Sequence, residues 1–183
     1  MFADIKSPFG IIKIEAQGGA IVRVYLPNQE YSPSHFVTAP SKKEPLESKP
    51  KASLFEGGVN EVDGGSKLLA DAKMQFEEYF AGTRKVFDLP LDFSGCTEFM
   101  TRVYQELMRV PYGETASYKN IAERVASPKA YRAVGLANNK NILPIIVPCH
   151  RIIGADGGLV GYAGGLDFKK WLLELERVNF IAV

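Results

Sequence analysis

Cysteine and histidine are scarce: the chain of 183 residues has two of each, Cys96, Cys149, His35 and His150. Two thiols cannot build a disulfide framework, and with two imidazoles at these spacings they match no zinc pattern. No metal site is therefore expected, and a reducing compartment is. Apolar runs are short, none approaching the roughly 18 to 20 residues of a membrane span. The opening Met1-Phe2-Ala3-Asp4-Ile5-Lys6 has neither a basic nor a long apolar region, so no secretory signal is expected. With 46% hydrophobic and 23% charged residues the chain has the composition of an ordinary folded protein. A soluble protein without membrane association is predicted, cytoplasmic or, in a eukaryote, nuclear.

The net charge of +1 hides an asymmetry. Residues 1–92 carry 11 basic against 13 acidic residues, whereas residues 93–183 carry 11 against 8. The basic surplus lies with Cys149, His150 and the single Trp171, which fits a polyanion-binding C-terminal part without proving one.

The first half reads as strands followed by a helix. Phe2–Ile5 and Gly10–Ala16 are rich in β-branched and aromatic residues, and Gly18-Gly19 makes a hairpin turn into Ala20–Leu26. From Tyr31 to Ser66 the chain is rich in Pro, Ser, Lys, Glu and Gly, which predicts a long mobile loop. Leu69, Ala72, Phe76, Tyr79 and Phe80 then recur at helical spacing before Gly82. A domain boundary is placed near Phe93, dividing residues 1–92 from 93–183.

The second half reads as short helices. Thr97 caps a helix with the stripe Phe99, Val103, Tyr104 and Leu107; Ser117 caps the next, Tyr118–Ala126. Ser127-Pro128 is a start signal for a third helix, with Ala130, Ala133, Val134 and Ala137 inward and Arg132, Gly135 and Asn139 outward. Two short helices joined by a tight turn fit a helix-turn-helix; an ordinary helical hairpin with a solvated basic face fits as well.

After this helix, Ile142-Leu143-Pro144-Ile145-Ile146-Val147-Pro148 is an apolar run bracketed by prolines, expected to run extended through the core and deliver Cys149. A buried cysteine is often only a small hydrophobe. Here His150 and Arg151 follow at once; an imidazole can take the thiol proton, and positive charge lowers the thiol pKa. Residues 154–165 hold six glycines, suiting either close backbone approach to a ligand or a flexible loop. Phe168, Trp171, Leu172 and Leu175 mark a final helix, with Glu176 about 80° from Phe168 at the margin of its apolar stripe. A carboxylate there can meet a buried imidazole, or lie in solvent.

Five ordered segments now carry a resemblance: Pro111-Tyr112-Gly113-Glu114-Thr115-Ala116-Ser117-Tyr118, Arg132-Ala133-Val134-Gly135, Pro148-Cys149-His150-Arg151, Gly161-Tyr162-Ala163-Gly164-Gly165 and Trp171-Leu172-Leu173-Glu174-Leu175-Glu176. Together they resemble the O6-alkylguanine-DNA alkyltransferases, densely from about Phe93 to Arg177 and loosely before it. The resemblance implies an α+β fold, with a small ribonuclease H-like N-terminal domain and a mostly helical, winged-helix-like C-terminal domain carrying the helix-turn-helix. It implies irreversible, single-turnover repair of O6-alkylguanine, and also O4-alkylthymine, by a monomer that needs no cofactor. The substrate is double-stranded DNA bound through the minor groove, with the damaged base flipped out.

By that resemblance Cys149 is the nucleophile and alkyl acceptor, His150 its base and Glu176 the partner orienting the imidazole. Asn141 braces the turn before the active-site segment, and Tyr118 assists nucleotide rotation and gives its proton toward guanine N3. Arg132 fills the gap left by the extruded base; Ala133, Gly135, Asn138, Arg151, Ile152, Tyr162, Ala163 and Gly164 contact DNA or line the pocket. Cys96 has no family role and is read as structural. Some members carry Ser at the position of Ala163, others carry N-terminal zinc ligands that this chain lacks, and the Tyr31–Ser66 segment has no counterpart. The rival readings are a lesion-binding module without chemistry, in which Trp replaces the nucleophile, and a cysteine hydrolase, whose histidine comes from a distant segment.

Overall fold

The computed structural model describes residues 1–27 and 61–177. Three antiparallel strands, β1 (Phe2–Ser7), β2 (Gly10–Gln17) and β3 (Ala20–Tyr25), form a sheet in that order. Alternation sets its faces: Ile12, Ile14 and Ala16 on β2 are buried, as is Ile5 opposite Ile12. Gly18 and Gly19 both have positive φ, 59° and 80°, so the β2–β3 turn needs residues without Cβ strain.

Helix α1 (Glu61–Phe80) buries Leu69, Ala72, Phe76 and Tyr79. The loop expected over Tyr31–Ser66 is therefore corrected at its end, because 61–66 are helical; residues 28–60 lie outside the described residues. Two glycines, Gly64 and Gly65, weaken the local helix signal in this first stretch. Gln75, buried on α1, accepts from the Asp88 amide and donates to the Asp88 carbonyl, pinning the chain that returns to the sheet. That chain then bonds β3 through Ile21 N to Pro90 O (2.8 Å) and Asp92 N to Ile21 O (3.1 Å).

The C-terminal part is helical. Helix α2 (Glu98–Met108) starts at its Thr97 cap, which accepts from Met100 N. Strand β4 (Ala116–Ser117) pairs in parallel with β5 (Ile152–Ile153). Between them lie α3 (Tyr118–Arg124) and α4 (Tyr131–Asn139), and helix α5 (Leu166–Leu175) closes the described chain. Ser117 and Asn120 form a capping box at the start of α3. The α3–α4 pair gives the mixed α/β fold its helix-turn-helix.

Two local expectations are corrected. Ser127-Pro128 does not start α4: Ala130 N bonds Ser127 O in a separate turn, and the helix begins at Tyr131. Proline's fixed φ suits the second position of such a turn equally well. Helix α4 buries Val134, Ala137 and Asn138, whereas Ala133, expected inward, is exposed at the margin of that stripe. The run 142–148 is buried over 143–148, with Ile142 partly so, but it is not extended. Val147 N bonds Leu143 O (2.8 Å), and Ile145 takes φ 77°, a strained value for a β-branched residue.

Tyr104 shows how α2 positions this corner. Its buried hydroxyl contacts the carbonyls of Ala137 (3.1 Å) and Lys140 (3.0 Å) at the end of α4; Ala137 O also accepts from Lys140 N (3.1 Å), so the hydroxyl matters most to the terminal Lys140 carbonyl. Tyr104→Phe should keep the ring packing and take the donor from the Lys140 carbonyl, lowering unfolding free energy by about 1–3 kcal/mol. Urea denaturation measures it; a loss near zero would mean the hydroxyl caps nothing.

Candidate active site

Cys149 opens a single 3-10 turn, Cys149–Arg151, just after the strained turn at Ile145. Its residue is only 5% exposed. Asn141 clamps the approach: Nδ2 donates to Val147 O (2.8 Å) and to Cys149 Sγ (3.1 Å), while Oδ1 accepts from Leu143 N (3.0 Å). One carboxamide thus holds both ends of the turn and the thiol. Burial pushes the thiol pKa up, partly offset by the Asn141 hydrogen bond and the Lys169 charge. Positive charge lowers the thiol pKa as expected, here from Lys169, but desolvation outweighs it and the thiol rests protonated.

His150 is fully buried, with Nε2 3.0 Å from Glu176 Oε1. A carboxylate only accepts, so Nε2 carries the proton in this pair and Nδ1 is left as the basic nitrogen. Nδ1 is buried and has no protein partner. Burial lowers the His150 pKa against the opposing pull of Glu176, so the ring is neutral near pH 7.

Glu176 sits just beyond α5 and gathers five hydrogen bonds. Oε1 accepts from His150, from Tyr79 OH (2.6 Å) and from Arg151 Nη2 (2.9 Å); Oε2 accepts from Arg151 Nε (2.9 Å) and Gly113 N (3.2 Å). Burial alone would raise its pKa, but the hydrogen bonds and charges of His150 and Arg151 outweigh this and hold the carboxyl far below its usual range.

Arg151 is corrected by this arrangement. Besides its bidentate contact to Glu176 it donates to Val110 O (2.6 Å) and stacks near Tyr112, so it faces inward and is not a DNA-contacting side chain. Ile152 is buried in β5, and its carbonyl accepts from Lys169 Nζ (2.6 Å). Gly164 also has a packing role, since a Cβ would lie 2.9 Å from both Leu26 and Phe168.

Three of the remaining candidates, Tyr118, Gly135 and Asn138, line an open cleft. Tyr118, Tyr131, Gly135, Asn138, Asn139, Val160 and Gly161 surround about 380 Å³. Tyr118, at the start of α3, is half-buried, and its hydroxyl pKa is raised by burial and by proximity to Cys149. Asn138 is 8% exposed; its amide lies close enough to the Tyr118 hydroxyl to lower that group's pKa against the burial, and neither amide atom makes a full hydrogen bond. Gly135 faces the Tyr118 ring with room for a methyl group, at 3.8 Å. Arg132 and Ala133 are exposed on the outer face of α4. In the glycine-rich segment Ala163 is exposed, while the Tyr162 hydroxyl is buried and unpartnered. Cys96 packs against the core, away from these groups. Among the described residues no cluster of His, Cys, Asp and Glu could hold a metal.

Two site residues escaped sequence reading. Tyr79 looks like any core aromatic of α1, and no local signal links it to Glu176. Lys169 is fully buried and donates to Ile152 O and Val160 O, tying α5 to the segment after the thiol. Its position on the helical wheel between Leu172 and Leu173 could have revealed it. Desolvation lowers its pKa to about 8.

Family models for 6-O-methylguanine DNA methyltransferase match nearly the whole chain, the ribonuclease-like domain over residues 2–93 and the DNA-binding domain over 98–178. The chain belongs to this family. A methylated-DNA–protein-cysteine methyltransferase of Mycobacterium leprae is 43% identical over 174 residues, covering 95% of this chain and 90% of the relative. The constitutive enzyme of Bacillus subtilis is 56% identical over 113 residues, 61% of this chain and 68% of that one. Among solved structures, Mycobacterium tuberculosis OGT in complex with DNA has a TM-score of 0.74 at 38% identity, covering 96% of this chain and 92% of that one. The chain is accordingly a methylated-DNA–protein-cysteine methyltransferase of DNA repair, and the binding-module and hydrolase readings fall away.

The buried relay makes stability pH-dependent. The folded pKa of His150 lies below its ordinary 6.5, so as pH falls the unfolded chain binds a proton that the native state refuses. That stability is present above 6.5 and is lost as pH drops. Glu176, also depressed, adds a second loss that begins below 4.5. Urea midpoints measured from about pH 8 down to about pH 4 should fall in this order, and His150→Asn should flatten the first step. Glu176→Ala, which leaves Arg151 buried and unpaired, should cost about 3–5 kcal/mol in the same assay at neutral pH.

Proposed function

We propose that this protein takes the alkyl group of O6-alkylguanine in DNA, and of O4-alkylthymine, onto the sulfur of Cys149, once per molecule. The observation that carries the reading is the buried thiol, held 3.1 Å from the Asn141 amide and adjacent in the chain to a His150–Glu176 pair at 3.0 Å. His150 Nδ1 removes the thiol proton, through one bridging water, and Glu176 stabilises the resulting imidazolium. The thiolate attacks the alkyl carbon, the C–S bond forms and the C–O6 bond breaks. The purine leaves with its negative charge neutralised by a proton from Tyr118 at N3. A thioether is a poor electrophile, so the acceptor is spent.

A thiol this buried cannot meet the O6 group of a stacked guanine, so the nucleotide leaves the duplex first. Extrusion costs a few kcal/mol, and a side chain inserted into the stack offsets part of it. Arg132 is exposed near the N-terminal end of α4, where it can take that place. Ala133 and Gly135 keep the helix slim enough for the minor groove, where sequence readout is weak; a repair protein needs lesion selectivity with sequence indifference. Asn138, beside Tyr118, meets the flipped base with its amide, Tyr162 and Ala163 line its approach, and the protein acts as a monomer without a cofactor.

Cys149→Ser should abolish transfer and leave binding to duplex DNA within about threefold. Intact mass after mixing wild type with O6-methylguanine DNA should rise by one methyl group per chain, with no further turnover at substrate excess. Multiple turnover would refute the acceptor role.

Arg132→Ala separates extrusion from phosphate contact. Loss of one phosphate contact weakens all sequences alike and lowers the salt slope by about one. Loss of the inserted side chain should instead slow single-turnover transfer from duplex O6-methylguanine and spare transfer from the free base. Equal slowing of both substrates would place Arg132 in the chemical site or the fold.

A further inference from the structure

Tyr79 belongs to α1 of the N-terminal domain, yet its hydroxyl lies in the relay, 2.6 Å from Glu176 Oε1 and 3.4 Å from His150 Nε2. Both partners are fully or almost fully buried, and so is Tyr79 itself. Its ring is held by Phe80, Phe87 and Tyr112 at centroid distances of 5.7, 5.3 and 6.1 Å, so the hydroxyl has little freedom. A phenol does not need a carboxylate to pack in a core; a neutral side chain would avoid burying another polar group.

We propose that Tyr79 is a positioning residue of the transfer reaction: its hydroxyl shares Glu176 Oε1 with His150 and thereby sets how strongly His150 holds a proton. The proposal rests on His150 acting as the base toward Cys149. The groups facing His150 are Glu176, Arg151, Lys169 and Tyr79. Of these Glu176 alone draws a proton onto the ring, and every other donor to its carboxylate weakens that pull. Arg151 and Gly113 supply three such donors and Tyr79 the fourth, the one that comes from the N-terminal domain. Removing it concentrates the carboxylate's charge on His150, which favours imidazolium, and an imidazolium cannot accept the thiol proton. The N-terminal domain then contributes a chemical group to the reaction as well as mass.

The test uses the full chain with Tyr79→Phe, which keeps the ring. Single-turnover methyl transfer from duplex O6-methylguanine DNA is followed from about pH 5.5 to about pH 9. The acid limb should move to higher pH by about half a unit or more, with the rate several-fold lower near its midpoint and within about twofold of wild type at the alkaline end. Replacing Tyr79 by 3-fluorotyrosine, a stronger donor of the same shape, should move the limb the other way, and it keeps the test intact if Tyr79→Phe folds poorly. Phe76→Leu, on the same helix but outside the relay, should lower thermal stability and leave the limb in place. Limbs unmoved in the Tyr79 variants, or rates lowered equally at all pH, would overturn the proposal and leave Tyr79 a packing residue. A wild type that accepts no methyl group at any pH would instead refute the transfer reaction itself.

Discussion

A buried carboxylate is the constraint on which the site depends. Taking Glu176 out of water costs several kcal/mol, and only hydrogen bonds from fixed donors can offset it. Those donors come from α1, from the turn after α2 and from the 3-10 turn that carries the thiol. Glu176 therefore cannot be satisfied until segments distant in sequence are assembled. In return it fixes the tautomer of His150 and takes Arg151 out of play. Arginine rather than lysine suits that second task, because its planar fork meets both carboxylate oxygens at 2.9 Å.

The thiol follows a different logic. Many reactive cysteines are made nucleophilic by a depressed pKa, at the cost of reacting with any oxidant that reaches them. Cys149 is buried and rests protonated, with Asn141 on its sulfur. Its reactivity is then conditional on proton removal by a base held neutral by the same burial. For a protein that uses each acceptor once, a thiol kept quiet until substrate is seated avoids waste.

The two halves of the molecule are joined at the site rather than merely linked in sequence. Val24 N bonds Ile142 O (2.8 Å), which ties β3 to the start of the turn before the thiol. Leu26 packs where Gly164 lacks a Cβ, and Phe9, in the β1–β2 turn, stacks on Phe168 of α5 at 4.8 Å. With Tyr79 on Glu176, these contacts make the N-terminal sheet and helix the back wall of the reactive segment. The cleft that bears Tyr118 and Asn138 stays open, and Arg132 is exposed on the outer face of α4. The strained Ile145 marks where that wall and the helix-turn-helix force the chain to bend.

Alternation in β2, the glycine pair at 18–19, and the caps Thr97 and Ser117 are local signals, so the sequence by itself determined these elements and their order. The ordered motifs around Pro148-Cys149-His150-Arg151 likewise determined the family and its chemistry, because reactive side chains adjacent in sequence stay adjacent in any fold. Tertiary structure decided where desolvation acts. It set the protonated state of Cys149, turned Arg151 from a DNA contact into a partner of Glu176, and bent the proline-bracketed run into a turn. It also brought Tyr79 and Lys169 to the site, one from the other domain and one from the far helix. Periodicity reports which face of an element is buried, but not what it is buried against. Hydrogen bonds between distant segments, and the pKa shifts that follow from them, exist only once the chain is folded.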